Sequence, residues 1–139
     1  MSPPPRRSVR VVAALIAHPE DGGRFLVQQR LPGGSRGLLW EFPGGKVEAG
    51  ETDAQALARE SREELAVDVS VGERVWDGRH AYPDLEVSLV LYRAKVVSGT
   101  PTCLGARQLR YLNPGEMRAL PFCEADLPLI ELLEAGALG

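Results

Sequence analysis

Residues 45 to 67 read GKVEAGETDAQALARESREELAV, a glycine-rich opening followed by a run with the punctuation of a helix. Thr52 is suited to cap that helix, and Gln55 three residues later completes a capping box that satisfies two otherwise orphaned donors. The spacing predicts a helix over Thr52 to Ala66. At about 100° per residue Ala54, Leu57, Ala58, Ser61 and Leu65 share one arc, the expected buried face, with Glu60, Glu63 and Glu64 on the opposite side. These acids stand at i, i+3 and i+4 and emerge as neighbours, so Glu60 and Glu64 repel each other. Nothing nearby neutralises them, since Arg59 and Glu63 pair in the less favourable order.

Two readings of the acidic face follow from the residues. It is either a solvated surface, where charges are screened, or a place where a hard cation binds. Mg²⁺ prefers oxygen ligands and is typically shared between carboxylates and substrate phosphates. The adjoining turn Pro43-Gly44-Gly45 supplies exposed backbone beside those carboxylates. A cation there would neutralise a diphosphate, lower the pKa of a bound water and stabilise a leaving oxygen.

Outward from this stretch, the chain is organised as a single unit. Its 139 residues suit one domain with one core of ordinary size. A net charge of −3 provides no positive field to hold a nucleic-acid polymer. Cys103 and Cys123 lack metal-ligand spacing to His18 or His80, so they read as two reduced thiols. The longest apolar run, Val11 to Ala17, is too short to cross a bilayer. Arg6-Arg7 before it weakly imitates an export signal, but no clean cleavage site follows and the run reads better as a strand, so the cytoplasm is the expected location.

Met1 to Arg7, with three consecutive prolines, reads as a mobile tail. Val9 to His18 and Arg24 to Gln29 read as strands about a turn at Pro19 to Gly23, followed by a loop opening at Pro32 and a short apolar piece, Leu38 to Phe42. Pro43-Gly44-Gly45 is expected to lie outside regular structure. Further strands are expected at Val67 to Val75, Leu85 to Val97 and Gln108 to Leu112, the second of them central in a sheet because it is almost continuously apolar. Asn113-Pro114-Gly115-Glu116 has the cap, first-turn proline and N3 acid of a short helix, and a last helix is expected from Asp126 to Ala135, ended by Gly136.

The segment from Gly45 through Val67 resembles the Nudix box, GX5EX7REUXEEXGU with U apolar. Gly45, Glu51, Arg59, Glu60, Glu63 and Glu64 all match, a coincidence of about 10⁻⁷ per starting point when each residue type occurs at roughly 7%. Leu39-Trp40-Glu41-Phe42-Pro43-Gly44 before the box resembles the MutT branch, and the likeness extends loosely over the chain after the tail. The resemblance implies an α/β fold, the Nudix α/β/α sandwich with a mixed β-sheet, over residues 8 to 139. It implies Mg²⁺, with Mn²⁺ as a substitute, held by Glu60, Glu63, Glu64 and the Gly44 carbonyl, with Glu51 joining the acids and Arg59 orienting them. Arg30 resembles the arginine that reaches the substrate phosphates. The segment Leu120 to Pro128 resembles the base-reading end of oxidised-purine and cytidine triphosphate hydrolases, which makes Asp126 a candidate base reader. Phe42 and Tyr82 are candidates for the pocket wall.

The implied activity is hydrolysis of a small nucleoside triphosphate to the monophosphate and pyrophosphate, used to remove oxidised or non-standard nucleotides. Hydrolysis of a dinucleoside polyphosphate or nucleotide sugar, and nucleotide binding without cleavage, stay open. Three residues depart from the pattern. Ser61 puts a hydroxyl on the buried face. Ala66 replaces the glycine that ends the helix, so the turn there is expected to be rebuilt. Gly105 stands where a further metal-binding or base carboxylate often lies. Asp126 also has the local pattern of an N-cap for the last helix.

Overall fold

The computed structural model describes residues 7–138. Of the expected tail, residues 1–6 lie outside the described residues. Arg7 belongs instead to the first strand, β1 (Arg7–Leu15), where it pairs with Leu85. β2 (Ala17–His18) and β3 (Asp21–Gln29) form the first hairpin. Its turn is tighter than the expected Pro19 to Gly23, because the Glu20 N–H donates to His18 Nδ1 at 3.0 Å and Asp21 already pairs with His18.

β4 (Trp40–Glu41) and β5 (Gly44–Lys46) follow, so the Gly44-Gly45 pair lies in a strand, contrary to expectation. The break falls at Phe42 and Pro43, and Pro43 has no N–H for a ladder. On one side of it Glu41 pairs with Gln28 of β3, and on the other Gly44 pairs with Ala13 of β1.

α1 (Asp53–Leu65), β6 (Asp68–Ala81), β7 (Leu85–Ser98) and β8 (Gln108–Leu112) come next, then α2 (Pro114–Arg118), a 3₁₀ turn over Glu124–Asp126 and α3 (Leu127–Glu134). β6 runs past the expected end at Val75 because β7 offers a partner along its whole length, with bulges absorbed between Val71 and Trp76. The strands form two four-stranded sheets. One has the order β5-β1-β7-β6 and is mixed, since β1 and β7 run parallel while the outer pairs are antiparallel. β7 is interior to it, as its apolar sequence predicts. β3 organises the second sheet with β2, β4 and β8.

Period-2 alternation along β1 builds the layers. Val12, Ala14 and Ile16 pack with Ala56, Leu57 and Leu65 of α1 on one side. Ala13 and Leu15 pack with Met117, Leu129 and Ile130 of α2 and α3 on the other. The sheet is thus covered by helix on both faces, the expected α/β/α arrangement. Leu26 and Val27 of β3 divide between the same two cores.

The capping box of α1 forms as the sequence predicts, with the Thr52 side chain accepting from the Gln55 N–H and Gln55 Oε1 accepting from the Thr52 N–H. Asp53 fixes the helix start to the sheet, accepting from Arg10 Nε at 2.8 Å and from the Tyr92 hydroxyl at 2.7 Å. The buried face is turned from the expected arc: Ala56 is buried and Ala54 exposed. Ser61 is accommodated because its hydroxyl donates to the Leu57 carbonyl at 2.7 Å.

The helix end is not rebuilt around Ala66. Ala66 takes the left-handed conformation with φ 57° and donates its N–H to the Arg62 and Ser61 carbonyls. An L-residue with a Cβ pays about 1 kcal/mol for that conformation. Ala66→Gly should therefore stabilise the protein by somewhat under 1 kcal/mol after the entropy glycine adds to the unfolded chain. A urea titration measures it, and a variant less stable than the parent would show that the turn carries no strain.

Candidate active site

α1 brings the acids to a cleft of about 570 Å³ whose floor is β3, β4 and β5. Stepping ~100° per residue around the helix puts Glu60 and Glu64 between Ala56 and Leu57 in angle. They lie on the flank facing the sheet, which corrects their expected place opposite the buried face: the same step sets Glu64 only about 20° from Leu57. Both line the cleft together with Gly44, Gly45, Arg30 and Gly105. Glu63 is different: its side chain is 59% exposed and does not line the cleft. Among the described residues no three His, Cys, Asp or Glu side chains stand already gathered as a metal-ligand set.

One arginine organises the acids. Arg59 donates to both Glu51 carboxylate oxygens, from Nε at 2.8 Å and Nη2 at 3.0 Å. It also reaches Glu60 Oε1 at 2.9 Å, Glu63 Oε2 at 3.3 Å and the Lys46 carbonyl at 2.9 Å. The expectation that nothing nearby neutralises the acids is therefore corrected, because a fork of five donors can serve several carboxylates at once. Glu51 sits well below the ordinary carboxylate range, held first by Arg59 and then by the Glu48 N–H, which it accepts at 2.9 Å. It closes the loop before α1 and does not line the cleft.

Glu60 and Glu64 show the opposite tendency. Burial raises Glu60 even against the Arg59 contacts. Glu64 is pushed up to about 7, by burial first and then by the charges of Glu60 and Glu41. Desolvated carboxylates of this kind favour either a proton or a cation. Gly45 makes the approach close: a Cβ there would lie 2.3 Å from Glu60 Cδ. A Cβ on Gly105 would likewise lie 2.7 Å from Glu64 Cδ. The glycine at 105 thus leaves no gap, since the Glu64 carboxyl takes the space its side chain would need.

Glu41 and Gln28 are among the lining residues to which the sequence reading gave no role. Glu41 accepts from Arg30 Nη1 at 3.0 Å and from Gln28 Nε2 at 3.0 Å. Gln28 is 2% exposed, and its Oε1 has no hydrogen-bond partner. The alternation Trp40-Glu41-Phe42 could have indicated Glu41, since it sends the apolar pair to the core and the acid to the other face. Gln28 gave no such signal, because its placement depends on the β3–β4 register.

Of the four expected substrate residues, Arg30 alone lies at the cleft, and Phe42, Tyr82 and Asp126 lie elsewhere. Arg30 lines the cleft, its guanidinium paired with Glu41. Phe42 and Tyr82 are 3% and 7% exposed, belong to the core on the α3 side and do not line the cleft. Tyr82 holds the segment before α3, its hydroxyl accepting from the Ala125 N–H at 3.0 Å.

Asp126 makes no N-cap hydrogen bond, which corrects the cap expectation. It is 6% exposed and accepts instead from the Phe42 N–H at 3.0 Å, so it ties the start of α3 to the end of β4. Burial, followed by the nearby Glu41 charge, pushes its carboxyl up to about 8. Between its unfolded value near 4 and that value, the folded chain binds the extra proton, so stability falls as pH rises through the window. Asp126→Asn keeps an acceptor for Phe42 and removes the titration. Its stability should fall less steeply than the parent's between pH 5 and pH 8 in urea titrations. Parallel pH profiles would overturn the assignment.

Comparison with known proteins agrees with this architecture. The NUDIX domain family profile matches residues 12–132. The chain is 36% identical over 129 residues to the CTP pyrophosphohydrolase of Escherichia coli, covering 93% of each. It is 34% identical over 128 residues to the 8-oxo-dGTP diphosphatase of Haemophilus influenzae, covering 92% of this chain and 93% of the relative. The solution structure of the E. coli ORF135 protein superposes with a TM-score of 0.77 at 35% identity, over 94% of this chain and 91% of the other. Fold, box and relatives coincide: the chain belongs to the Nudix family. Within that family it is a hydrolase of the MutT type, acting on pyrophosphate bonds.

Proposed function

We propose that this protein hydrolyses a small nucleoside triphosphate to the monophosphate and pyrophosphate, with Mg²⁺, or Mn²⁺ in its place, as cofactor. The observation that carries the reading is the pair Glu60 and Glu64, two half-buried carboxylates held above the usual range in one cleft with Arg30. Glu60, Glu64 and the Gly44 carbonyl would hold the cation, with Glu63 completing the set from the rim. When bound, it would neutralise the diphosphate and lower the pKa of an attacking water. Arg59 would keep the acids in register, and Arg30, once released from Glu41, would meet substrate phosphate. The names of two relatives, a CTP pyrophosphohydrolase and an 8-oxo-dGTP diphosphatase, support a nucleoside triphosphate and span two quite different bases.

The test is incubation with Mg²⁺ and a panel of canonical and oxidised nucleoside triphosphates, a dinucleoside polyphosphate and a nucleotide sugar. Pyrophosphate with monophosphate is the expected product. Cleavage confined to the last two compounds would move the substrate class, and binding without turnover would replace hydrolysis with recognition. Millimolar Mg²⁺ should also raise the melting temperature, because a cation that binds only the folded chain stabilises it by mass action. A melting curve that ignores the cation, with and without nucleotide, would return the acidic face to a solvated surface.

A further inference from the structure

Gln28 is the residue of the cleft that packing leaves unexplained. It lies on β3 with 2% exposure and lines the cleft beside Glu41, Glu60 and Glu64. Its Nε2 donates to Glu41 Oε2 at 3.0 Å, and Gln28 shares the cleft with the Glu64 carboxyl. The Glu41 contact fixes which end of the amide is which, since a flipped amide would set its oxygen against the Glu41 carboxylate. The oxygen left over, Oε1, has no partner. A buried acceptor without a donor costs on the order of 1–3 kcal/mol, a cost that a hydrophobic side chain on the same strand would avoid.

We propose that Gln28 Oε1 is a neutral oxygen of the cation site, in contact with the divalent ion or with a water of its hydration shell. The inference rests on the cation reading above and extends it to a residue outside the box. Glu41, Glu64 and Gln28 Oε1 present only acceptor oxygens, a set that suits a hard cation. A base edge, with donors and acceptors side by side, would leave part of itself unmatched there. The Gly105 position contributes no side-chain oxygen, so Gln28 supplies one from the neighbouring strand: β8, which follows Gly105, pairs with β3 and matches Gln28 to Leu109.

Mn²⁺ binding without nucleotide, followed by electron paramagnetic resonance of the free ion, tests this without any turnover. Gln28→Leu, similar in size and lacking the oxygen, should weaken Mn²⁺ about tenfold, the range seen when groups supporting a metal site are removed. Gln28→Glu, which adds a charge at the same place, should bind Mn²⁺ more tightly than the parent. Because Gln28→Leu also frees Glu41, the comparison is repeated in a Glu41→Gln background, where the loss should persist. Circular dichroism establishes that each variant is folded, and if Gln28→Leu is not, Gln28→Glu against the parent decides the matter. Unchanged Mn²⁺ affinity in folded Gln28→Leu, or no tightening in Gln28→Glu, would overturn the proposal while leaving the cation reading intact. A parent that binds no Mn²⁺ would overturn both.

Discussion

Glu64→Gln should lower kcat by on the order of 10²-fold or more, the range expected when a positioned acid–base or metal-holding group is lost, while the protein keeps its fold. The carboxyl is half-buried, faces the cleft and shares it with Glu60 and Glu41, so its removal takes away a ligand without opening a hole in either core. Stability should move the other way. The folded value near 7 lies above the ordinary 4.5, so the folded chain takes up a proton in that window and loses stability as pH rises through it. The glutamine variant has no such loss. Without metal it should melt at or above the parent temperature at pH 8, and the gain should shrink towards pH 5. Glu63→Gln, at an exposed position tied only to Arg59 among the described contacts, should leave metal-free stability almost unchanged. Full Mg²⁺-dependent activity in Glu64→Gln would remove Glu64 from the site, and a marked drop in its metal-free melting temperature would make it a structural residue.

Gly44→Ala should have the largest effect on stability, on the order of 3 kcal/mol or more, and should abolish activity with it. A Cβ on Gly44 would lie 1.9 Å from the Val12 carbonyl oxygen and 2.8 Å from the Ala13 Cα. Both are backbone atoms of the central strand, so no side chain can rotate aside. Relief requires β5 to leave β1, which displaces the Gly44 carbonyl and the Gly45 surface against which Glu60 packs. Gly50→Ala is the control. Its φ of 83° is unfavourable for alanine, but nothing lies within 4 Å of the added atom, so the cost is conformational alone, about 1 kcal/mol. Equal losses in the two variants, measured by urea unfolding, would show that the close approach of β5 to β1 is not what the glycine serves.

By itself the sequence determined the elements whose signals are local. The Thr52–Gln55 capping box, the Asn113–Glu116 box of α2, the apolar β7 and the bounds of β8 all depend on residues a few positions apart. The spacing of Glu51, Arg59, Glu60, Glu63 and Glu64 likewise identified the family and the chemistry, because a helix converts fixed spacing into fixed neighbours.

What the tertiary structure decided is which of those neighbours meet the sheet. Residue type alone assigns Glu60 and Glu64 to the outside, although Glu64 stands only about 20° from Leu57 at the edge of the apolar arc. Asp53, tied to Arg10 and Tyr92, fixes how α1 sits on β1 and turns the acids inward, where burial raises them. Asp126 looked like a cap from its neighbours in the chain, yet it bonds Phe42, 84 positions away. Gln28 and Glu41 come together only through the β3–β4 register, and Pro43 divides one extended segment between two sheets. Contacts of this kind join residues far apart in the chain, and a burial pattern read from periodicity carries no information about the partner on the other side.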